Sequence, residues 1–101
     1  NGTEGSVITT ATAAGYTSQF RTDYPNNKKA YFIGKDNINA LLAQTEAFGI
    51  RIYLGEKEID SVMQIIPVLV ASDKYGVDII GICVDEAVPC PPTCDTTSPL
   101  M

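Results

Sequence analysis

Two cysteines near the end of the chain, Cys90 and Cys94, are the residues best placed by type and spacing to carry chemistry. They enclose two prolines and follow a third in the stretch 88–94 (VPCPPTC). Proline fixes the backbone φ angle, so such a segment holds its two thiols at a set distance with little loss of entropy. The stretch predicts a rigid terminal segment whose thiols can react with each other or with a ligand.

Three chemical interpretations of this pair stay open, beside one in which the prolines pack over a sheet edge and the thiols have no special role. A disulfide would close a very short loop and would stabilise the fold little through chain entropy. A reversible redox pair is the second, although the spacing differs from the C-x-x-C of thioredoxin-like proteins. The third is a soft-metal site to which Cys83 or a second chain contributes ligands.

Cys83 lies in the apolar segment 77–84, where a free thiol behaves as a small hydrophobic side chain, and we expect it in the core. As metal ligands, the three thiols of Cys83, Cys90 and Cys94 leave a tetrahedral zinc site one ligand short, because the chain has no histidine. These three cysteines are the candidate metal ligands, and Cys90 and Cys94 are the candidate disulfide or redox pair.

The rest of the chain offers no catalytic constellation. The absence of histidine removes the commonest general base. Asp85 and Glu86 are adjacent at a predicted strand end and should point to opposite faces. Glu56, Glu58 and Asp60 fall in a predicted loop, which we interpret as a solvated connection rather than a cation site. The glycines form no phosphate-binding fingerprint. The sequence therefore favours a protein that is not an enzyme and binds no cofactor.

The charge of the chain excludes two classes of partner. Its 101 residues carry a formal net charge of −5, which opposes binding to nucleic acid or to an anionic membrane surface. The longest apolar run, 65–71, contains a proline and is far shorter than the roughly 18–20 residues of a membrane span. We expect a cytoplasmic protein, although the sequence begins with Asn1 rather than methionine, so a targeting segment removed by processing stays an alternative.

The hydrophobic periodicity predicts two helices and three strands. Helical spacing covers about 6–24, with Ser6 as a cap, and about 35–45, where Gly34 is a cap and Ile38, Leu41 and Leu42 share one face. Segment 30–33 is a short apolar stretch, interpreted as either a brief strand or an extended lead-in to the next helix. Strands are predicted at 50–54, 65–71 and 77–84, joined by a charged connection at 55–61 and a turn at 72–76. The third strand is apolar on both faces from residue 79 onward, which is typical of a strand that is central or covered on both sides.

Together these elements predict an α+β fold in which two helices pack on a three-stranded antiparallel β-meander. The length favours a single domain, 1–101, with a loose N-terminus at 1–5 and an extended Pro/Cys-rich tail at 88–101.

Three segments of the chain resemble an uncharacterised family of small proteins from Bacteroidetes bacteria. They are 41–44 (LLAQ), 48–55 (FGIRIYLG) and the tail motif 89–94 (PCPPTC), and the similarity spans about residues 30–94. The resemblance implies a recurring fold with a recurring Cys-Pro-Pro-x-Cys tail, and it carries over no activity.

The function that these observations favour is a small, soluble, non-enzymatic binding or interaction module. Three strands with free edges invite pairing, so its expected partner is itself, as a homo-oligomer, or another protein. The alternative is a thiol redox or soft-metal-binding protein that uses Cys90 and Cys94.

Overall fold

The computed structural model describes residues 2–101 and confirms the α+β class. Asn1, the first residue of the predicted loose N-terminus, lies outside the described residues. The elements in chain order are α1 (Thr10–Asp23), β1 (Ala30–Phe32), α2 (Lys35–Leu42), β2 (Gly49–Ile59), β3 (Val62–Ser72), β4 (Asp78–Val84) and β5 (Val88–Cys90).

These elements belong to two compact units. The first comprises residues 2–4 and 33–87 and holds α2 with β2, β3 and β4. The second comprises 5–32 and 88–101 and holds α1 with β1 and β5. That the two units fold together as the single predicted domain stays a prediction.

The first unit is built on the predicted antiparallel meander, with strand order β2-β3-β4. β2 and β3 pair along their whole lengths, from Gly49 opposite Ser72 to Ile59 opposite Val62. Asp60 and Ser61 form the two-residue turn between them, and both have positive φ angles, 53° and 66°. Such angles are typical of a type I′ turn, whose twist matches that of the flanking strands.

The predicted charged loop at 55–61 is wrong over most of its length, because β2 continues to Ile59 and β3 begins at Val62. The period-two alternation of side chains runs on through this charged segment. Glu56 and Glu58 lie on one face of the hairpin, and Lys57 lies on the other. Charged side chains are tolerated in a strand whose faces are open to solvent, so the charges did not mark the strand's end.

β4 is an edge strand rather than the central strand that its apolar sequence predicted, and the centre is β3. Its pairing with β3 is interrupted: Ile79 faces Ala71, Cys83 faces the adjacent Val70, and residues 80–82 bulge between them. The bulge turns Ile80 outward, so an apolar run here does not mean burial on two sides.

α2 covers one face of this meander and completes its core. Leu41 is fully buried against Leu69, Ala71 and Val84, and half-buried side chains close the cluster at its margin: Ile33, Ile38, Ala47, Ile50 and Ile79. Gly34 is the N-cap, as predicted. The helix ends at Leu42 rather than near 45, and Leu42 is largely exposed instead of sharing the buried face with Leu41. The left-handed residue after the helix is Glu46 (φ 72°), and β2 begins at Gly49.

The second unit contains the other helix. α1 begins at Thr10, not near Ser6, because the side chain of Thr9 accepts a hydrogen bond from the Thr12 N–H at 3.1 Å and caps the first turn. Beside it, β5 pairs antiparallel with β1, and Cys90 faces Ala30. The first residues of the predicted tail thus form a strand. None of the helices among residues 2–101 has the length and apolar character that crossing a membrane requires.

Candidate functional site

The cysteine pair singled out from the sequence is joined in the structure. Cys90 and Cys94 form a disulfide, with 4.9 Å between their Cα atoms. Cys90 is the last residue of β5 and is buried, whereas Cys94 is partly exposed. A nucleophile from solvent therefore reaches the Cys94 sulfur more easily than the Cys90 sulfur.

Backbone hydrogen bonds anchor the loop that this disulfide closes. The Lys29 N–H donates to the Cys90 carbonyl at 2.6 Å, and the Thr93 N–H donates to the Pro89 carbonyl at 3.1 Å. The Lys28 ammonium donates to the carbonyl of Pro91 at 2.8 Å. The disulfide and the β1–β5 pairing thus hold the same short segment, and each limits the freedom of the other.

Cys83 is exposed on β4 and has a free thiol, so its predicted core position is wrong. Cys83 faces Val70 across β3 and β4, so its side chain lies on the opposite face from Leu69 and Val84, which pack against α2. Across residues 2–101, no three side chains of histidine, cysteine, aspartate or glutamate lie close enough together to hold a metal ion. The described residues do not assemble the metal site for which Cys83, Cys90 and Cys94 were candidates.

A polar cluster that sequence reasoning missed is centred on Asp78. One carboxylate oxygen, Oδ1, lies 2.5 Å from Arg51 Nη1 and accepts a hydrogen bond from the Ser72 hydroxyl at 2.7 Å. The other oxygen accepts a hydrogen bond from the Tyr53 hydroxyl. Arg51 also donates to the Gly76 carbonyl at 2.9 Å, so it ties β2 to the turn before β4. We call Arg51, Tyr53, Ser72 and Asp78 the Asp78 cluster.

The strand register explains why the Asp78 cluster forms. Ser72 faces Asp78 across β3 and β4, and alternate residues of β2, Arg51 and Tyr53, lie on the same face. Hydrogen bonds from Tyr53 and Ser72, together with the charge of Arg51, hold the pKa of the Asp78 carboxyl below its ordinary value of 3.8. A carboxylate kept ionised by three donors is a weak base, so the cluster fastens the end of the sheet rather than moving protons.

Asp85 and Glu86 do not diverge to opposite faces, which corrects the prediction from their adjacency. Lys57 Nζ lies 3.3 Å from a carboxylate oxygen of Asp85 and 3.2 Å from one of Glu86. Strand alternation stops at Val84, and Glu86 adopts a positive φ of 60°, so the chain turns and both carboxylates reach one ammonium. These two hydrogen bonds raise the pKa of Lys57.

β2 and β3 carry an exposed apolar surface outside the core cluster of the first unit. Beyond the part of the sheet covered by α2, the same face carries four apolar side chains that are half or more exposed: Ile52, Leu54, Met63 and Ile65. Glu56 and Glu58 lie on this face too, directly opposite Ile65 and Met63. We call the four apolar residues the exposed strip. No sequence signal separated them from the core, because they continue the alternation of Ile50, Leu69 and Ala71.

The exposed strip lies beside the outer edge of β2. A cleft of about 710 Å³ opens at the first half of this strand, and it is lined by Gly2, Glu4, the consecutive residues 48–52 and the turn at 72–76. Side chains alternate between faces along a strand, so a cleft that meets five residues in succession reaches the backbone at the strand's edge. Of the exposed strip, Ile52 lines this cleft, and Leu54, Met63 and Ile65 lie outside it.

The chain matches no protein-family model, no curated protein and no solved structure. The resemblance to a Bacteroidetes family therefore stays a prediction.

Proposed function

We propose that this chain is a non-enzymatic interaction module and that its partner is a second copy of itself, bound along the outer edge of β2 and over the exposed strip. The observation that carries the proposal is the position of that strip beside the strand edge. A partner strand that pairs with β2 extends the sheet, and its own apolar side chains lie next to Ile52 and Leu54.

The backbone of β2 supports this mode of association. Within residues 2–101, β2 pairs with a strand on one side, β3, and its other side is an edge of the sheet. Gly2 and Glu4 lie at the beginning of this edge, where a Cβ on Gly2 would be 3.2 Å from the Phe48 carbonyl oxygen. An edge of this kind is a template for another strand, and natural proteins protect such edges with charges, prolines or bulges. The half of β2 at 52–55 carries none of these, because its charged residues lie at either end.

Burial of the exposed strip is the second contribution to the free energy of association. Burying one leucine or isoleucine side chain contributes roughly 1.5–3 kcal/mol. The same strip on two copies is self-complementary, as a two-fold interface requires. Apolar contact and backbone pairing therefore act at one place on the surface.

Light scattering coupled to size exclusion tests the proposal, and we expect twice the 10.8 kDa mass of one chain. Leu54→Lys should raise the dissociation constant of the dimer by at least about tenfold, since a lysine on an edge strand opposes pairing. Ile80→Lys is the matched control: Ile80 is 81% exposed and Leu54 80%, but Ile80 lies on the β4 bulge. A strict monomer at high concentration, or equal effects of the two lysines, would contradict the proposal.

A second candidate function is thiol–disulfide exchange at Cys90 and Cys94, which the disulfide and the accessible Cys94 favour. A partner dithiol attacks the Cys94 sulfur, the S–S bond breaks, and Cys90 leaves as a thiolate that takes up a proton. The partner's other thiol then attacks the mixed disulfide and releases Cys94 as a thiol. Two electrons and two protons have then passed to Cys90 and Cys94, and the partner has become a disulfide.

Incubation of folded Cys83→Ser protein with dithiothreitol distinguishes exchange from a purely structural bond. Rapid reduction under native conditions, followed by labelling of both thiols, supports exchange. A pair that is labelled only after denaturation is structural, and this result removes the second candidate without affecting the first.

A further inference from the structure

We infer that the two copies pair through antiparallel β2 strands with Tyr53 of each copy opposite the partner's Tyr53. This inference rests on the proposed self-association and adds the register of the interface. Register decides which side chains meet, because a shift by one residue would send every side chain to the other face.

The alternation of β2 limits the possible registers. Its pairing with β3 places Ile52 and Leu54 on the face of the exposed strip, and Arg51, Tyr53 and Gly55 on the other face. When two copies of one strand pair about a two-fold axis and continue one sheet, opposed residues must lie on the same face. The axis therefore passes through a residue and never between two residues, and the candidates near the middle of the strand are 52, 53, 54 and 55.

An axis at Leu54 or Gly55 brings unfavourable pairs together. At Leu54, Arg51 faces the partner's Lys57, and like charges directly opposite each other destabilise a sheet. The same register sets Ile52 against the partner's Glu56. At Gly55, Leu54 faces the partner's Glu56 and Ile52 faces the partner's Glu58. In both registers a residue of the exposed strip faces a carboxylate.

An axis at Tyr53 opposes no two like charges and sets neither Ile52 nor Leu54 against a carboxylate, although Ile50 then faces the partner's Glu56. Ile52 faces the partner's Leu54, and Leu54 faces the partner's Ile52, so the two exposed strips join into one apolar surface. Arg51 then faces the partner's Gly55, which has no side chain to repel it. An axis at Ile52 also matches apolar residues, but there the paired region ends at Gly55, whereas an axis at Tyr53 extends it to Lys57. The Tyr53 register thus combines apolar matching with the longer ladder.

Disulfide cross-linking between engineered cysteines identifies which residues of the two β2 strands face each other. Directly opposed residues in antiparallel strands have Cα atoms about 4.5–5.5 Å apart, which is within disulfide range. Cys83→Ser serves as the background, so that each variant has one free thiol beside the native disulfide. The variants are Ile52→Cys, Tyr53→Cys, Leu54→Cys and Gly55→Cys. A Cβ at Gly55 would lie 3.6 Å from Val68 Cγ2, an ordinary contact that the site accommodates.

Under mild oxidation we expect Tyr53→Cys to form a covalent dimer at least tenfold faster than the other three variants. Because Tyr53→Cys also removes a hydrogen bond to Asp78, a second measurement keeps that bond. A mixture of Ile52→Cys and Leu54→Cys should form the cross-linked pair of unlike variants, while neither variant alone dimerises covalently.

Each other result overturns the register in a recognisable way. Fastest self-linking at residue 52, 54 or 55 moves the axis there and leaves the self-association intact. A dimer by light scattering that links at none of the four positions places the interface away from β2. A monomer in every preparation overturns both the register and the proposed function.

Discussion

Asp78 shows how a few side chains fasten the end of the sheet. Its carboxylate receives hydrogen bonds from Tyr53 and Ser72 and a charged contact from Arg51, and hydrogen bonds to the ionised form lower the pKa of a carboxyl. The hydrogen bond from Tyr53 is the largest of these contributions. Removing one phenolic hydroxyl should therefore be visible in the titration of a single carboxyl.

The first prediction concerns the hydroxyl of Tyr53. Tyr53→Phe should raise the pKa of Asp78 toward 3.8, because the ionised carboxylate loses a donor while the shape of the ring is kept. NMR titration of the aspartate carboxyl carbons measures the change. Tyr75→Phe is the control, since Tyr75 is exposed on the turn at 72–76 and takes no part in the Asp78 cluster. Equal shifts in both variants would show that the effect is not local.

The second prediction concerns acid stability. The pKa of Asp78 is lower in the folded chain than its ordinary value of 3.8. Its contribution to the free energy of unfolding is therefore complete above about that pH and disappears as the pH falls through the folded pKa. Denaturant unfolding of native protein and Asp78→Asn should differ most near neutral pH and converge in acid. A difference that grows below pH 3.8 would contradict the assigned direction of the shift.

The residues of the candidate site differ in how far the sequence alone could predict their position. Cys90 and Cys94 were predicted as a pair because they are near each other in sequence and held by prolines. The Asp78 cluster was missed because its members come from three strands, and only the register brings them together. The exposure of Cys83 was missed for the same reason, since only the pairing of β4 with β3 shows that Cys83 lies on the opposite face from Val84 and α2.

At the scale of elements, the two adjacent leucines of α2 differ in how far they are buried. Leu41 is 0% exposed at the centre of the core, whereas Leu42 is 46% exposed. Leu41→Ala should lower the free energy of unfolding by about 2–5 kcal/mol, the usual cost of a cavity left by a buried leucine. Leu42→Ala is the matched control and should cost about 0.5 kcal/mol or less. Chemical denaturation measures both, and similar losses would contradict the placement of α2.

The β2–β3 turn gives the fourth prediction. Ser61 has a φ of 66°, a conformation that costs a residue with a Cβ roughly 1–2 kcal/mol and costs glycine almost nothing. Ser61→Gly should therefore raise the free energy of unfolding by about 1 kcal/mol, while Ser61→Val should lower it because a branched Cβ fits this region poorly. Thermal and denaturant unfolding measure the pair. Stabilisation by valine would show that the turn does not hold this geometry.

The elements also show where periodicity succeeds and where it fails. It predicted the meander, the α2 cap and the apolar halves of β2 and β3, because burial on one face leaves an alternating pattern. It ended β2 too early, since the charges of Glu56, Lys57 and Glu58 were interpreted as a loop. It also placed the start of α1 too early, because the Thr9 cap is one of several hydroxyl residues that could fill that role.

At the scale of the whole molecule, the acidic charge and the apolar strip act against each other. Each copy carries a net charge of −5, so two copies repel at low ionic strength. This repulsion keeps copies with an exposed strip apart unless the pairing of their β2 strands contributes more free energy than the electrostatic repulsion costs. The proposed interface itself brings apolar side chains together and, in the Tyr53 register, opposes no two charges directly.

The last prediction concerns how the dissociation constant of the dimer changes with salt concentration. Salt shortens the screening length from about 10 Å at 0.1 M to about 3 Å at 1 M, and apolar contact does not weaken over that range. The dissociation constant of the dimer should therefore fall several-fold as sodium chloride rises from about 0.05 to 0.5 M. Sedimentation equilibrium of the native chain measures the trend, with Leu54→Lys at the same salt concentrations as the control for a disrupted strip. A dissociation constant that rises with salt would mean that opposite charges hold the copies together, and the interface would then have to lie away from the exposed strip.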